Sequence, residues 1–305
     1  MVLAGGVGAA RFLRGLVAAV PGAAITVIGN TGDDVTVHGL HVSPDLDTVA
    51  YTLGGLADLE RGWGLAGETW VVGERLGRLG ADTWFQLGDR DLATHLWRSE
   101  QLRQGRPLSA VTAALAERLG LPVRLLPMTD QPVTTRVHTA DGRDLHIQEF
   151  FVRERCLPAI ARVEYRGIDR ARPAPGVLAA LAAAAVVVLA PSNPIMSLGP
   201  ILALPGVRAA VAAGRRTVAI SPIIAGQAVK GPATAMMAAA GVAPTVVGIA
   251  ELYRDCVRAL VLDNADADLA GAVAAHGVRP VVTDTLMVDR AAATRLARVV
   301  LEAAA

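Results

Sequence analysis

Seven short β-branched runs punctuate this chain: Met1 to Ala4, Ile25 to Ile28, Val186 to Leu189, Thr217 to Ile220, Thr245 to Val247, Leu260 to Leu262 and Val281 to Thr283. Alanine-rich stretches of helical length separate several of them, namely Ala9 to Val20, Ile201 to Ala213, Pro232 to Ala240 and Ala250 to Ala259. A strand with one wet face alternates apolar and polar residues, whereas these runs are mostly apolar on consecutive residues. They read as strands buried on both faces, and parallel strands need a crossover helix between them. The rhythm predicts an α/β fold, a Rossmann-like, mainly parallel, doubly wound sheet. In such sheets ligands bind beyond the carboxyl ends of the strands, which directs attention to Gly5-Gly6, Gly29-Asn30, Ser192-Asn193, Ser221 and Asp263.

The rhythm lapses from about Asp47, where Tyr51 to Leu59, Glu74 to Leu79, Asp89 to Gln101 and Ser109 to Leu119 carry apolar residues at three and four spacing. Beyond them, Thr135 to Thr139 and Leu145 to Phe151 alternate around the turn pair Asp141-Gly142, as a hairpin does. The chain therefore reads as a single Rossmann-like domain over 1–305. Its core is 1–46 and 175–305, and its insertion, 47–174, is helical over 47–119 with a β-hairpin element at 133–152.

Composition narrows the function classes. Apolar residues make up 52% of 305 and charged ones 19%, which excludes a disordered chain. Basic residues number 29 and acidic ones 28, interspersed along the chain, so no electrostatic footprint for nucleic acid or an anionic membrane is expected. The longest apolar run ends at Pro191, short of the ~20 residues of a membrane helix. Cys156 and Cys256 stand a hundred residues apart without a CxxC, which fits reduced thiols in the cytoplasm.

Leu3-Ala4-Gly5-Gly6-Val7-Gly8-Ala9-Ala10-Arg11 joins a strand to a helix through three glycines, a loop that lets backbone N–H groups approach a phosphate. Arg11 stands where a nicotinamide fingerprint would have glycine or alanine, although Asp33 and Asp34 lie about where a ribose-binding acid would follow the second strand. Asp45 and Asp47, two apart, would point the same way from an extended segment and could share a hard cation that also holds diphosphate oxygens. Alternatively Asp47 caps a helix starting at Thr48. Asp89 opens a further helix, on which Asp91 and His95 share a face as i, i+4, either as its cap and a surface pair or as part of a site. His38 and His41 have no third nitrogen or sulfur ligand nearby and read as structural. Ser192 and Asn193 sit where such a sheet often reverses its strand order. Lys230, the only lysine, lies in a glycine-bearing loop after another strand, where a compact ammonium fits one phosphate oxygen. No GxxxxGK[ST], GxSxG or HExxH is present. What remains is a metal-assisted transfer involving a nucleotide or sugar diphosphate.

The strings LAGGVGAARF at the start, SPDLDT at 43–48, LGDRDLATHL at 87–96, LPMTDQPV at 126–133, PSNP at 191–194 and SPIIAGQAVKGPA at 221–233 resemble the 2-phospho-L-lactate transferase family of coenzyme F420 biosynthesis, in order and from end to end. The resemblance implies a Mg²⁺-dependent, cytoplasmic, homodimeric enzyme. It would join a guanosine-diphosphate-activated three-carbon acid, phosphoenolpyruvyl or 2-phospholactyl, to the terminal ribityl hydroxyl of the deazaflavin FO and release GMP. By that resemblance Asp45 and Asp47 are metal-binding and catalytic. Asp47, Asp89, Arg90 and His95 face FO, while Gly5, Gly6, Gly8, Asn30, Ser192, Asn193 and Lys230 face the nucleotide. The segments Arg61 to Gly64, Glu68 to Trp70 and Trp84 to Gln86 look closer to the bacterial branch, which is thought to use the enolpyruvyl donor. The competing readings are a sugar-nucleotide-binding regulator of the related gluconeogenesis-factor branch and an NAD(P)-dependent dehydrogenase.

Overall fold

The computed structural model describes residues 1–214, 216–229 and 231–305. Seven strands form the central sheet: β1 (Val2–Ala4), β2 (Thr26–Gly29), β3 (Arg124–Pro127), β4 (Val187–Leu189), β5 (Thr217–Ile220), β6 (Ala259–Asp263) and β7 (Arg279–Thr283). Their spatial order is β7-β6-β5-β4-β1-β2-β3, and every neighbouring pair is parallel. The order reverses between β1, whose Val2 pairs with Val27, and β4, whose Val188 pairs with the same residue from the other side. That reversal opens a crevice beyond the strand ends.

Successive residues of the strands face two different cores, which is why the runs are apolar throughout. Leu3, Ile28, Leu189, Ala219 and Leu260 join one core. Val2, Val27, Val188, Val218 and Val261 join the other. The second core is covered by helices α1 (Gly6–Ala19) and α2 (Pro44–Leu53) and by the C-terminal helix Arg290–Ala303, through Phe12, Leu13, Val49, Leu296 and Val300. Helices Val177–Ala182, Leu198–Ala203, Val207–Ala213, Ala233–Ala239 and Val246–Tyr253 cover the first. Among the described residues no helix is long and apolar enough to cross a membrane.

The segment after α2 supplies α3 (Val71–Arg78) and α4 (Asp89–Arg103), followed by Leu108–Arg118. The hairpin Thr134–Thr139 and Asp144–His146 turns at Gly142 (φ 88°) and gains a third strand, Ile160–Arg166.

The structure departs from the sequence-based expectations in four places. The run Thr245 to Val247 is not a strand: the Thr245 hydroxyl accepts from the Gly248 N–H at 3.3 Å and starts a helix whose β-branched first turn reads as extended. The stretch Ile201 to Ala213 is two helices, because Pro205 and Gly206 (φ 80°) interrupt it. One sheet strand, β3, comes from within the segment read as an insertion and pairs with β2. Finally, Asp45 and Asp47 lie in the first turn of α2, not in an extended segment, with Pro44 at the helix start.

Candidate active site

At the reversal point a cleft of about 550 Å³ opens beyond β1 and β4. Its lining includes the glycine loop Gly5 to Gly8, Ser192 and Asn193, residues of α2, and the aromatic residues Trp84 and Phe85. Glycine is required here by close approach. A Cβ at Gly5 would lie 2.5 Å from Asp45 Oδ2 and 2.6 Å from the Ser197 Cβ, and one at Gly8 would strike the Pro191 carbonyl oxygen. The loop is tied across the reversal point, since the Gly5 N–H donates to Ser192 Oγ at 3.2 Å. The Asn193 side chain accepts from the N–H groups of Ile195 (2.9 Å) and Met196 (3.1 Å), which shapes the wall.

Beneath the loop lies Asn30, fully buried, whose amide nitrogen donates to Asp33 Oδ1 at 3.0 Å and to Asp45 Oδ2 at 2.9 Å. Its carbonyl oxygen accepts from the Gly32 N–H at 2.8 Å. Asn30 is not among the residues that line the cleft; it holds two carboxylates that are. Burial pushes the Asp45 carboxyl up to about 6, against the opposing hydrogen bonds from Asn30 and the Gly6 N–H. Burial and the neighbouring Asp45 raise Asp33 well above the ordinary carboxylate range. Asp33 Oδ2 is buried without a hydrogen-bond partner, and no arginine, lysine or histidine pairs with either carboxylate among the described residues. Asp34 turns away, toward His41 Nε2 at 2.9 Å and the Ser43 hydroxyl at 2.8 Å, so His41 has a structural partner.

Asp47 behaves differently from Asp45. Both its oxygens face the guanidinium of Arg98 on α4, one through Nη1 at 3.0 Å and the other through Nη2, and Arg98 is among the largest fully buried side chains. Burial alone would lower the Arg98 pKa; the charge and hydrogen bonds of Asp47 lift it above its ordinary value. The pair continues into His95, whose Nδ1 lies 3.3 Å from Arg98 Nη1 and whose Nε2 lies 3.0 Å from Asp91 Oδ1. The Tyr51 hydroxyl donates to that Asp91 oxygen at 2.5 Å. Burial would raise Asp91, but His95, Tyr51 and Arg98 outweigh it and hold the carboxyl below its usual range. Asp47, Tyr51, Asp91 and His95 all line the cleft, although His95 Nε2 is buried without a well-formed hydrogen bond.

Asp89 and Arg90 stand outside that surface. Asp89 accepts from the Thr69 hydroxyl at 2.6 Å and from the Val71 and Val72 N–H groups, capping α3. Glu68 returns the contact, taking the Arg90 and Asp91 N–H groups at 2.8 Å each at the start of α4. Arg90 donates to the Ala66 carbonyl at 3.1 Å. Lys230 lies outside the described residues. Among the sequence-predicted residues the structure thus brings Gly5, Gly6, Gly8, Asp45, Asp47, His95, Ser192 and Asn193 to one cleft, with Asn30 directly behind. Sequence reading passed over Asp33 as a partner of Asp45, and over Arg98. The spacing Asp91, His95, Arg98, at i, i+4, i+7 on one helix face, is the signal that could have found the arginine.

A divalent cation fits Asp33 and Asp45 better than Asp45 and Asp47. The first two are buried, adjacent and unneutralised, with one orphaned oxygen between them. Both Asp47 oxygens are already engaged by a guanidinium. Among the described residues no group of three or more His, Cys, Asp or Glu side chains that could hold a metal ion is found.

The chain thus carries a doubly wound α/β sheet, a glycine loop at its reversal point and two uncompensated carboxylates beside that loop. The profile of the family described as 2-phospho-L-lactate transferase CofD matches residues 1–302. A phosphoenolpyruvate transferase of Streptomyces coelicolor is 48% identical over 98% of this chain and 95% of its own length. A 2-phospho-L-lactate transferase of Methanosarcina mazei is 38% identical over 99% of both chains. The crystal structure of a Bacillus halodurans protein of the UPF0052 family shares the fold, with a TM-score of 0.66 over 98% of this chain and 97% of that one at 17% identity. The chain belongs to the 2-phospho-L-lactate transferase CofD family and is a transferase of that type.

Proposed function

We propose that the cleft joins a guanosine-diphosphate-linked three-carbon acid to the terminal ribityl hydroxyl of FO. The observation that carries this reading is the juxtaposition of the glycine loop with Asp33 and Asp45: a side-chain-free backbone bordering the cleft on one side, ligands for a cation on the other. The acceptor hydroxyl oxygen forms a bond to the distal phosphorus. The bond from that phosphorus to the bridging oxygen breaks, and GMP leaves with the bridging oxygen. The product is a phosphodiester, and the hydroxyl proton passes to a carboxylate of the cleft. Mg²⁺ held by Asp33 and Asp45 would neutralise charge on the diphosphate. Gly5 to Gly8 would hold the phosphates, Ser192 and Asn193 would flank the nucleotide, and Trp84, Phe85 and the Tyr51–Asp91–His95 surface would seat the acceptor. The identity to a phosphoenolpyruvate transferase, higher than to the archaeal lactyl enzyme, favours the enolpyruvyl donor.

The test is incubation with FO, Mg²⁺ and each of the enolpyruvyl and lactyl donors, with mass detection of the adduct and GMP. Adduct and GMP in equal amounts are expected, with the larger kcat/KM for the enolpyruvyl donor. No product with either donor, together with tight binding of a UDP-sugar or NADH, would overturn the reading.

A further inference from the structure

Beside the main cleft lies a second cavity of about 290 Å³. Val7, Arg11, Thr48, Tyr51 and Trp63 belong to the walls of both, so the two spaces adjoin at the end of the glycine loop. Three arginines line this side chamber: Arg11 and Arg14, one turn apart on α1, and Arg290 at the start of the C-terminal helix; Arg14 is half-buried and the other two are exposed. Gly15 makes that convergence possible, because a Cβ there would collide with the backbone of Ala293, and its absence lets the two helices pack in direct contact.

The charges in this chamber do not balance. Of the two acids on its walls, Asp58 is engaged by the Glu60 and Arg61 N–H groups and by the Arg61 guanidinium at 3.4 Å. The other, Asp289, caps the C-terminal helix by accepting from the Ala292 N–H at 2.7 Å. Arg11, Arg14 and Arg290 make no ion pair with any described residue. Like charges gathered around one cavity repel, and an anion placed among them removes the repulsion.

We propose that this chamber is an anion subsite that takes the carboxylate of the three-carbon acid on the donor. The inference rests on the reaction proposed above. The acid is attached to the distal phosphate, and its carboxylate is the donor's one charged group besides the phosphates. With those phosphates on the glycine loop, a carboxylate whose carbon lies three bonds from the distal phosphorus would reach toward the junction that Arg11 and Val7 share. A forked guanidinium matches a carboxylate with two parallel hydrogen bonds, which a lone ammonium does not. Arg14 and Arg290 make the chamber selective for the acid and against an uncharged group of the same shape.

Two measurements test this. The first is binding of phosphoenolpyruvate, of isopropenyl phosphate (a methyl in place of the carboxylate) and of inorganic phosphate by isothermal titration. The wild-type protein is expected to prefer phosphoenolpyruvate by about 10- to 100-fold over isopropenyl phosphate. Arg14→Met and Arg290→Met, with melting temperatures unchanged, are expected to shrink that ratio toward one, and Arg14→Lys to restore part of it. An unchanged ratio in both methionine variants, or equal weakening of all three probes, would overturn the carboxylate subsite. The second is steady-state turnover, where Arg14→Met should raise KM for the carboxylated donor by about the same factor and leave kcat within a few-fold. If the wild-type protein makes no adduct, the function proposed above fails, and the binding ratio still decides the subsite.

Discussion

The two acidic clusters in the cleft contain the same residue type and are equally buried, yet only one has its charge satisfied from within. Asp33 and Asp45 share Asn30, a neutral amide, and both are driven toward protonation. Asp47 and Asp91 sit in a network with Arg98, His95 and Tyr51, and Asp91 is held ionised. Buried carboxylates facing no cation are costly to the fold and are kept where a ligand supplies the missing charge. Those paired with a buried guanidinium fix geometry. On the function proposed above, the first cluster serves the chemistry and the second orients the acceptor side of the cleft.

The largest expected effect breaks the paired cluster. Removing one member of a buried pair leaves the other charge stranded, so Arg98→Met should destabilise the protein by about 3–5 kcal/mol in denaturant unfolding. Replacing both, as Arg98→Met with Asp47→Leu, should recover much of that loss. A double variant as unstable as the single one would show that the pair is not the cause.

Asp45→Asn should leave the fold intact and lower turnover by about 10² to 10³, the scale of losing one preorganised electrostatic contact. A near-normal rate would remove Asp45 from the chemistry.

The same residue sets a pH dependence of opposite sign to the usual carboxylate. Its folded pKa, about 6, lies above its ordinary value of 3.8, so the folded state binds the proton more readily than the unfolded one. Without a divalent cation, Asp45 therefore costs stability increasingly as pH rises from about 4 and in full above about 7, and the cost is relieved as pH falls from about 7 to 4. Over that window the stability of wild type relative to Asp45→Asn should rise by roughly 2 kcal/mol. A difference that stays flat, or falls on acidification, would contradict the burial argument.

The smallest effect sharpens the boundary of the site. Glu68 caps α4 with both oxygens, and Glu68→Ala should cost about 1 kcal/mol of stability, read from the thermal midpoint. Asp89→Ala, which uncaps α3, should behave alike and change kcat little. A large loss of kcat in Asp89→Ala would return that residue to the acceptor site.

The sheet was legible because six of its seven strands are unbroken apolar runs, and the glycine loop because three glycines at one strand end have few other uses. β3 escaped notice because Arg124 opens it and Pro127 closes it at the sheet's edge, where only one neighbour constrains the pattern. Thr245 to Val247 misled because the β-branched pair after a threonine cap looks like strand until the cap is seen. For the site, the aspartates were visible as residues, but their division of labour was not. Asp47 meets Arg98 across 51 positions of sequence, and Asp45 meets Asn30 across 15, contacts that no local spacing encodes.

The measurement closest to the central claim is Mn²⁺ binding in the presence of GDP, followed by electron paramagnetic resonance, in the wild-type protein and in Asp33→Asn, Asp45→Asn and Asp47→Asn. The account predicts that the first two variants lose most of the bound ion while Asp47→Asn, checked for folding, retains it. Loss of the ion in Asp47→Asn with retention in Asp33→Asn would contradict it.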